Sequence, residues 1–422
     1  MLRRLAVAAV TAMVALAGTW KVVVAEYFGR VDLESWAAEH PSPPQPAVEL
    51  GAHAVSLVST RRIVPSTGLD ARNEVQVANN NLDVVRHQGR VYLAWRTAPS
   101  HFASSQVVMN VASSEDEVTW RYEASFRLGR DLREPRLLSL GDKLLLFVAR
   151  LGDNAFSFEP EGISLSERRA DGSWSSLEPA GPTGAIAWRV KPYQGGALMV
   201  LYRGGENLYS FNGKPMTVEL WRSPDGRKWR PFSSAGATVL SGGGSETDFV
   251  IDSSNTLLAI VRNEAGDTSG TGSKLCRGNG ATLGDWVCKG DVRKYDSPLI
   301  FEQDGETYVV GRRNLSGDGR YAVSARSGSI RTIENELAYI TTAKRCSLWR
   351  WVKPEDRLAF VLDLPSRGDT CFPSRIEAAD PTHVVIYDYS SDINGPELPW
   401  SAGQRRRTYV YRHELAFTRR AG

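Results

Sequence analysis

Cysteine and histidine are scarce in this chain of 422 residues, which holds 4 of the first and 6 of the second. No two cysteines stand in the close pairing of a zinc site, so no metal is expected. No histidine is an evident partner for Cys371, which argues against a thiol nucleophile there. An excess of one charge is also missing. Lys and Arg number 51 against 48 Asp and Glu, for a formal net charge of +3. No basic run is interleaved with aromatics, and Arg405, Arg406 and Arg407 are too few to change that, so nucleic acid is not expected as a partner. The apolar run at residues 5–20 is stopped by Lys21 and is short for a membrane span. No long amphipathic helix is evident, which leaves strands to carry the fold.

What is present is an ordinary globular composition, 42% hydrophobic and 23% charged. A chain of this length buries a sizeable core, and all-β folds of this size often form one unit. Residues 245–266 (SETDFVIDSSNTLLAIVRNEAG) show the recurring theme. Two short apolar runs flank a polar turn, the pattern of a β-hairpin. Glu246 and Arg262 lie sixteen residues apart about Ser254, so an antiparallel fold brings them together at the open end. The same spacing recurs in Asn80 and Arg96, Glu134 and Arg150, Ala187 and Arg203, and Asp296 and Arg312. A sixth hairpin opens at Asp369 and closes in Tyr387 and Tyr389. Matching spacings in five hairpins mark an internal repeat.

Residues 1–25 place two arginines before an apolar run and then small residues, the layout of a secretory signal or an uncleaved signal anchor. Residues 5–24 could tether the chain to a membrane, and no cysteine here offers lipid attachment. Residues 26–53 end in clustered prolines and read as a spacer. From residue 54 onward each hairpin continues into a second strand pair. Six four-stranded units read as an all-β fold, a six-bladed β-propeller over 54–422. The last unit is one strand short, and the strand beginning at Ala54 completes it and closes the ring. A β-sandwich with a second β domain is the alternative.

In the first four units a tryptophan closes a turn rich in Asp, Gly or Ser. Residues 223–229 (SPDGRKW) give the sharpest case, with Asp and Ser bonding turn N–H groups and Trp packing beneath. Residues 113–120 (SSEDEVTW) read as a degenerate copy, with Glu115 and Glu117 where Asp and Gly are usual. Both turns are structural. The even cysteine count in an exported chain favours Cys276–Cys288 and Cys346–Cys371 disulfides.

If each hairpin's opening strand lines the axis, its first residues gather at one mouth. That set is Asn80, Asn81, Glu134, Trp188, Glu246, Asp248, Asp296 and Asp369, ringed by Arg96, Arg150, Arg203, Arg262 and Arg312, with Tyr389 nearby. Aromatic faces stack on sugars, arginines donate to hydroxyls or carboxylates, and paired carboxylates act as acid and base or nucleophile. The same alternation also serves as a charge-neutralising network.

Glu246-Thr-Asp-Phe-Val with Arg262 resembles a segment of the sialidase (neuraminidase) superfamily in which an Arg follows a Glu by sixteen residues. The Asp-turns resemble that superfamily's Asp-boxes. The resemblance implies a six-bladed propeller over roughly residues 55–420. There the Glu activates a tyrosine nucleophile, and the Arg belongs to a triad gripping the substrate carboxylate. Two further features of that superfamily are missing. Residues 79–83 (NNNLD) replace an Arg-Ile-Pro motif, and residues 369–374 (DTCFPS) put Phe372 where the tyrosine belongs. The expectation is an exported, monomeric glycoside hydrolase acting on a glycan or polysaccharide other than a sialoside, with no cofactor. Its candidate catalytic acids, in order of preference, are Glu246, Asp296, Asp369 and Glu134. The alternative is a non-catalytic glycan-binding propeller of the cell envelope. A polysaccharide lyase would need a base such as Tyr389.

Overall fold

The computed structural model describes residues 20–420, except 50, 156–158, 205–214, 253, 265, 267–270, 280–281, 317–318, 322–323 and 327. The signal or anchor segment therefore lies outside the described residues up to residue 19. Six antiparallel sheets form a six-bladed propeller. The innermost strands are Ala78–His87, Leu132–Leu140, Ala185–Tyr193, Gly244–Ile251, Asp296–Gln303 and Ser374–Glu377. Each pairs with the next strand of its blade, and the chain then steps outward. In blade six the outermost strand is His53–Val64, paired with Thr408–Arg419, so the first strand closes the ring as expected.

The second strands are continuous apolar runs such as Lys143–Arg150 (KLLLFVAR), buried along nearly their whole length. Both faces of such a strand meet a neighbouring blade, which explains the absence of alternation. The core is accordingly divided into wedges. Leu137, Leu146 and Val148 pack with Tyr92 and Met109 between blades one and two. Leu258, Ile260, Trp349 and Phe360 do the same between blades four and five.

Both expected disulfides are present. Cys276–Cys288 joins register partners within blade four, and Cys346–Cys371 joins blade five to the segment entering blade six. The second closes a 25-residue separation. Replacing both Cys346 and Cys371 by alanine should therefore cost about 3 kcal/mol of stability. Denaturant melts of the variant against the oxidised wild type measure this, and equal midpoints would count against it.

Two sequence expectations need correction. Helices are present: α1 (Trp20–Gly29), α2 (Leu33–Glu39), α3 (Gly328–Thr341) and α4 (Trp400–Gly403). The 14-residue α3 sits between the second and third strands of blade five, where Gly- and Ser-rich flanks hid it from a strand-based reading. The stretch read as a spacer is also docked. Asp32 caps α2 by accepting from Glu34 N–H and Ser35 Oγ. Leu33 packs with Leu398 and Ala402, and Trp36 with Leu315 and Ala343. Residues 41–49, where the prolines cluster, have no regular structure, and even there Glu49 pairs with Arg357 at 2.7 Å.

The tryptophan turns hold as structural elements, with one shift of register. Asp225 accepts from the N–H groups of Arg227 and Lys228 and from Ser223 Oγ. Asp116, not Glu115, does the same for Val118, Thr119 and Ser114. Only glycine is replaced there, by Glu117 at φ 58°.

Candidate functional site

Five innermost strands carry a bulge near their start, seen as register shifts at Asn80/Leu82, Arg133/Arg136, Ala187/Arg189, Gly244/Thr247 and Asp296/Leu299. Three of the bulges contain a non-glycine residue in the left-handed region, Asn81 at φ 43°, Glu134 at φ 52° and Ser297 at φ 52°. Such conformations are costly and persist where the surroundings enforce them. The bulge also decides which sixteen-residue pairs meet. Asn80 faces Arg96 and Asp296 faces Arg312, while Arg262 reaches Glu246 at 2.6 Å. Glu134 and Ala187 are displaced, because Arg150 pairs with Leu132 and Arg203 with Ala185.

Glu134 and Glu246 are each 8% exposed. Glu134 accepts from Asn81 Nδ2 at 3.1 Å, and its other oxygen has no hydrogen-bond partner among the described residues. Burial, aided by the nearby Glu246 charge and opposed by Arg136, pushes its carboxyl up to about 7. Glu246 is held differently. One oxygen accepts from Arg262, the other from Ser297 N–H at 2.6 Å and Ser297 Oγ at 3.2 Å. The two carboxyls thus have unlike environments.

Asp296 and Asp369 are both fully buried. Asp296 accepts from Tyr339 Oη at 2.6 Å and lies 3.3 Å from Arg262. Burial would raise its pKa, but Arg262, Lys294 and Arg312 outweigh that and hold it down. Asp369 accepts from Tyr389 Oη at 2.9 Å and Trp400 Nε1 at 3.0 Å, with His101 Nδ1 at 2.8 Å. Burial lowers the His101 pKa against the opposing pull of Asp369, and the Asp369 carboxyl is held below its ordinary value chiefly by His101 despite its burial. Asp369 has partners on both oxygens, and Asp296 Oδ1 meets Arg262 as an ion pair without a hydrogen bond. Tyr389 is committed too, and burial with the Asp369 charge raises its phenol far above the ordinary range, which disqualifies it as a lyase base.

The arginines divide. Arg262 is shared by Glu246, Glu264 and Asp296. Arg312 donates to the carbonyls of Thr370 and Cys371 and lies over the Trp400 ring. Arg96 is fully buried against Asp131, Asn80 and two carbonyls. Arg203 pairs with Glu219 on the next strand. Arg150 is partly exposed and has a buried Nε without a hydrogen-bond acceptor among the described residues. Trp188 was expected to stack on sugar, but it is fully buried, with its ring 5.1 Å from Phe372 and the Arg136 guanidinium 4.7 Å away. Asp248 lies deeper than the mouth and holds Arg189 and Lys191 at 3.2 and 2.6 Å.

Sequence reasoning missed His101, Tyr339, Trp400 and Arg136. Each lies in an insertion or within a bulge, where hairpin spacing gives no signal. The mouth is also roofed by helices. Val24 of α1 packs with Tyr339, Ile340 and Trp400, Ala25 packs with Phe102 and Ala155, and Glu26 pairs with Arg405 at 2.6 Å.

No family model and no curated protein matches the chain. Solved structures do. A protein of unknown function from Dyadobacter fermentans matches over 86% of this chain and 99% of its own, at 12% identity and a TM-score of 0.59. Trypanosoma rangeli sialidase matches over 85% of this chain at 13% identity and a TM-score of 0.54. A T. rangeli sialidase mutant displaying trans-sialidase activity matches over 86% at 12% identity and a TM-score of 0.54. This chain covers 59% and 60% of those two sialidases. The fold is therefore a sialidase-like six-bladed propeller.

Proposed function

We propose that this protein is an exported glycoside hydrolase that cleaves a non-sialoside glycan at the propeller mouth. One observation carries the reading: Glu134, its carboxyl pushed up to about 7 by burial, lies near Glu246, whose two oxygens are held by Arg262 and Ser297. Two neighbouring carboxyls with unlike hydrogen-bond partners suit the division of labour between a general acid and a second carboxylate. Glu134 gives its proton to the glycosidic oxygen as the bond to the anomeric carbon breaks. Glu246 acts at that carbon, directly or through water. Asn81 orients Glu134, and Asp296, Asp369 and His101 hold the surrounding frame. Two disulfides fit an oxidising compartment.

The test is product release from bacterial, plant and host glycans across pH. On the cleaved glycan, kcat/KM should fall above about pH 7 as Glu134 loses its proton. Glu134→Gln should lack that limb. A limb unchanged in Glu134→Gln would remove Glu134 from the acid role. The sign for stability is the same. A folded pKa above the unfolded one contributes stability at low pH that is lost as pH rises through about 7.

A second reading, a glycan-binding propeller without turnover, draws on the saturation of Arg262 and Arg312 by protein groups. Saturable glycan binding with no product from any member of the panel would favour it.

A further inference from the structure

Beyond Trp188 and Phe372 the axis widens toward the turns joining first and second strands. A cavity of about 790 Å³ opens there, lined by the second halves of the innermost strands. Its charged lining is Arg86, Arg136, Arg189, Lys191 and Arg375 against Asp83 and Glu302. Several of these groups are already matched within the protein. Asp248 takes Arg189 and Lys191. Asp83 accepts from Ser374 Oγ at 2.6 Å and Leu137 N–H at 2.7 Å.

Arg136 feels the charges of Asp83, Glu134 and Asp248 but makes no hydrogen bond or ion pair with them among the described residues. It is 1% exposed, and its guanidinium lies 4.7 Å from the Trp188 ring centre and 4.6 Å from that of Phe372. None of its three guanidinium nitrogens has a hydrogen-bond partner among the described residues. The rings attract its charge but accept none of its in-plane N–H groups. A buried guanidinium without acceptors is rare in a native interior. Arg375 stands farther out along the same wall, over the Phe301 ring at 5.1 Å.

We infer that this cavity is a second ligand site, at the opposite end of the axis from the carboxylate pair. It takes an oxyanion carried on a small molecule, with an acidic saccharide as the fitting class. Arg136 is its anchor and Arg375 its outer contact. Guanidinium matches the planar, two-oxygen geometry of carboxylates and sulfates, and the cavity's size suits a ligand of one or two sugar rings. This inference stands apart from the chemistry assigned to the mouth.

The test is calorimetric titration of the full chain, at low salt, with glucuronate, with inorganic sulfate, and with glucose as the neutral control. Either anion should bind saturably with a Kd of about 1 mM or tighter, and glucose should not. Arg136→Met should weaken the anion about tenfold or more. Arg375→Ala, which removes only a guanidinium lying over Phe301, keeps the test open if Arg136→Met fails to fold, and it should weaken binding several-fold in a protein that still melts cooperatively. Equal affinity for sulfate and glucuronate would assign recognition to the oxyanion alone. Tighter glucuronate would add the sugar ring, and both results support the site. Failure of both anions to bind, or binding indifferent to both substitutions, would overturn it.

Discussion

Glu246→Gln should leave a folded protein whose kcat on the cleaved glycan is lower by about 10²–10⁴-fold, the usual contribution of a positioned acid or base. The substitution keeps the side chain's shape and removes only its charge. Arg262 retains Glu264 and Asp296 as partners. Ser297 N–H still finds an amide oxygen at the position where it now donates at 2.6 Å. One former contact of the carboxylate then meets an amide N–H, a local cost of about 1–2 kcal/mol, which lowers the melting point slightly without unfolding the chain. KM should change far less than kcat, because the lost charge acts on the developing bond more than on the resting sugar. Initial rates and a thermal melt on the same preparation separate the two effects. Unimpaired turnover in this variant would exclude Glu246 from the chemistry.

The sequence carried the ring because the ring is periodic. Apolar runs such as LLAIV and KLLLFVA, separated by tight turns, mark strands whatever their neighbours, and six such units leave little choice of architecture. Closure by the first strand was legible for the same reason, since the last blade needed a partner. Cys276 and Cys288 flank a single turn, so their pairing follows from the hairpin register.

The site was less legible, because bulges and insertions build it. A sixteen-residue spacing describes a regular hairpin, and one extra residue in a strand shifts every pairing beyond it. Hence Arg262 does reach Glu246, while Glu134 has turned away from Arg150 toward Asn81. No local signal announces a left-handed Glu134, which is followed by proline and holds its φ of 52° through tertiary packing. His101, Tyr339 and Trp400 come from connections of unequal length, and their contacts with Asp296 and Asp369 form only when those connections fold over the mouth. The ranking of acids changed for that reason. Asp296 and Asp369 resemble Glu134 in the sequence, but each of their oxygens meets a hydrogen-bond donor or a guanidinium, whereas one buried Glu134 oxygen has neither a hydrogen bond nor an ion pair among the described residues.

Arg262→Met should be the most destabilising single substitution at the mouth, costing about 3–5 kcal/mol. The guanidinium is the shared counter-charge of Glu246, Glu264 and Asp296, at 2.6, 2.6 and 3.3 Å, and is itself 9% exposed. Methionine fills much of the volume but leaves those carboxylates crowded together in a desolvated site. Lys294 and Arg312 still act on Asp296, so the loss is partial there. The penalty should depend on pH with a definite sign. In the wild type, Arg262 helps hold the Asp296 carboxyl below its ordinary value, a contribution present above the unfolded pKa and lost as pH falls through the folded one. In the variant the crowded carboxyls take up protons more readily, and the native state binds more of them than the unfolded chain. The gap between wild type and variant should therefore be widest near pH 8 and narrow toward pH 5. Urea melts at both values measure it. The double variant Arg262→Met/Glu264→Gln should recover part of the loss, because the cluster then carries one negative charge fewer. A gap that stayed constant with pH would mean that Arg262 acts through packing, and the carboxylate cluster would then need another counter-charge.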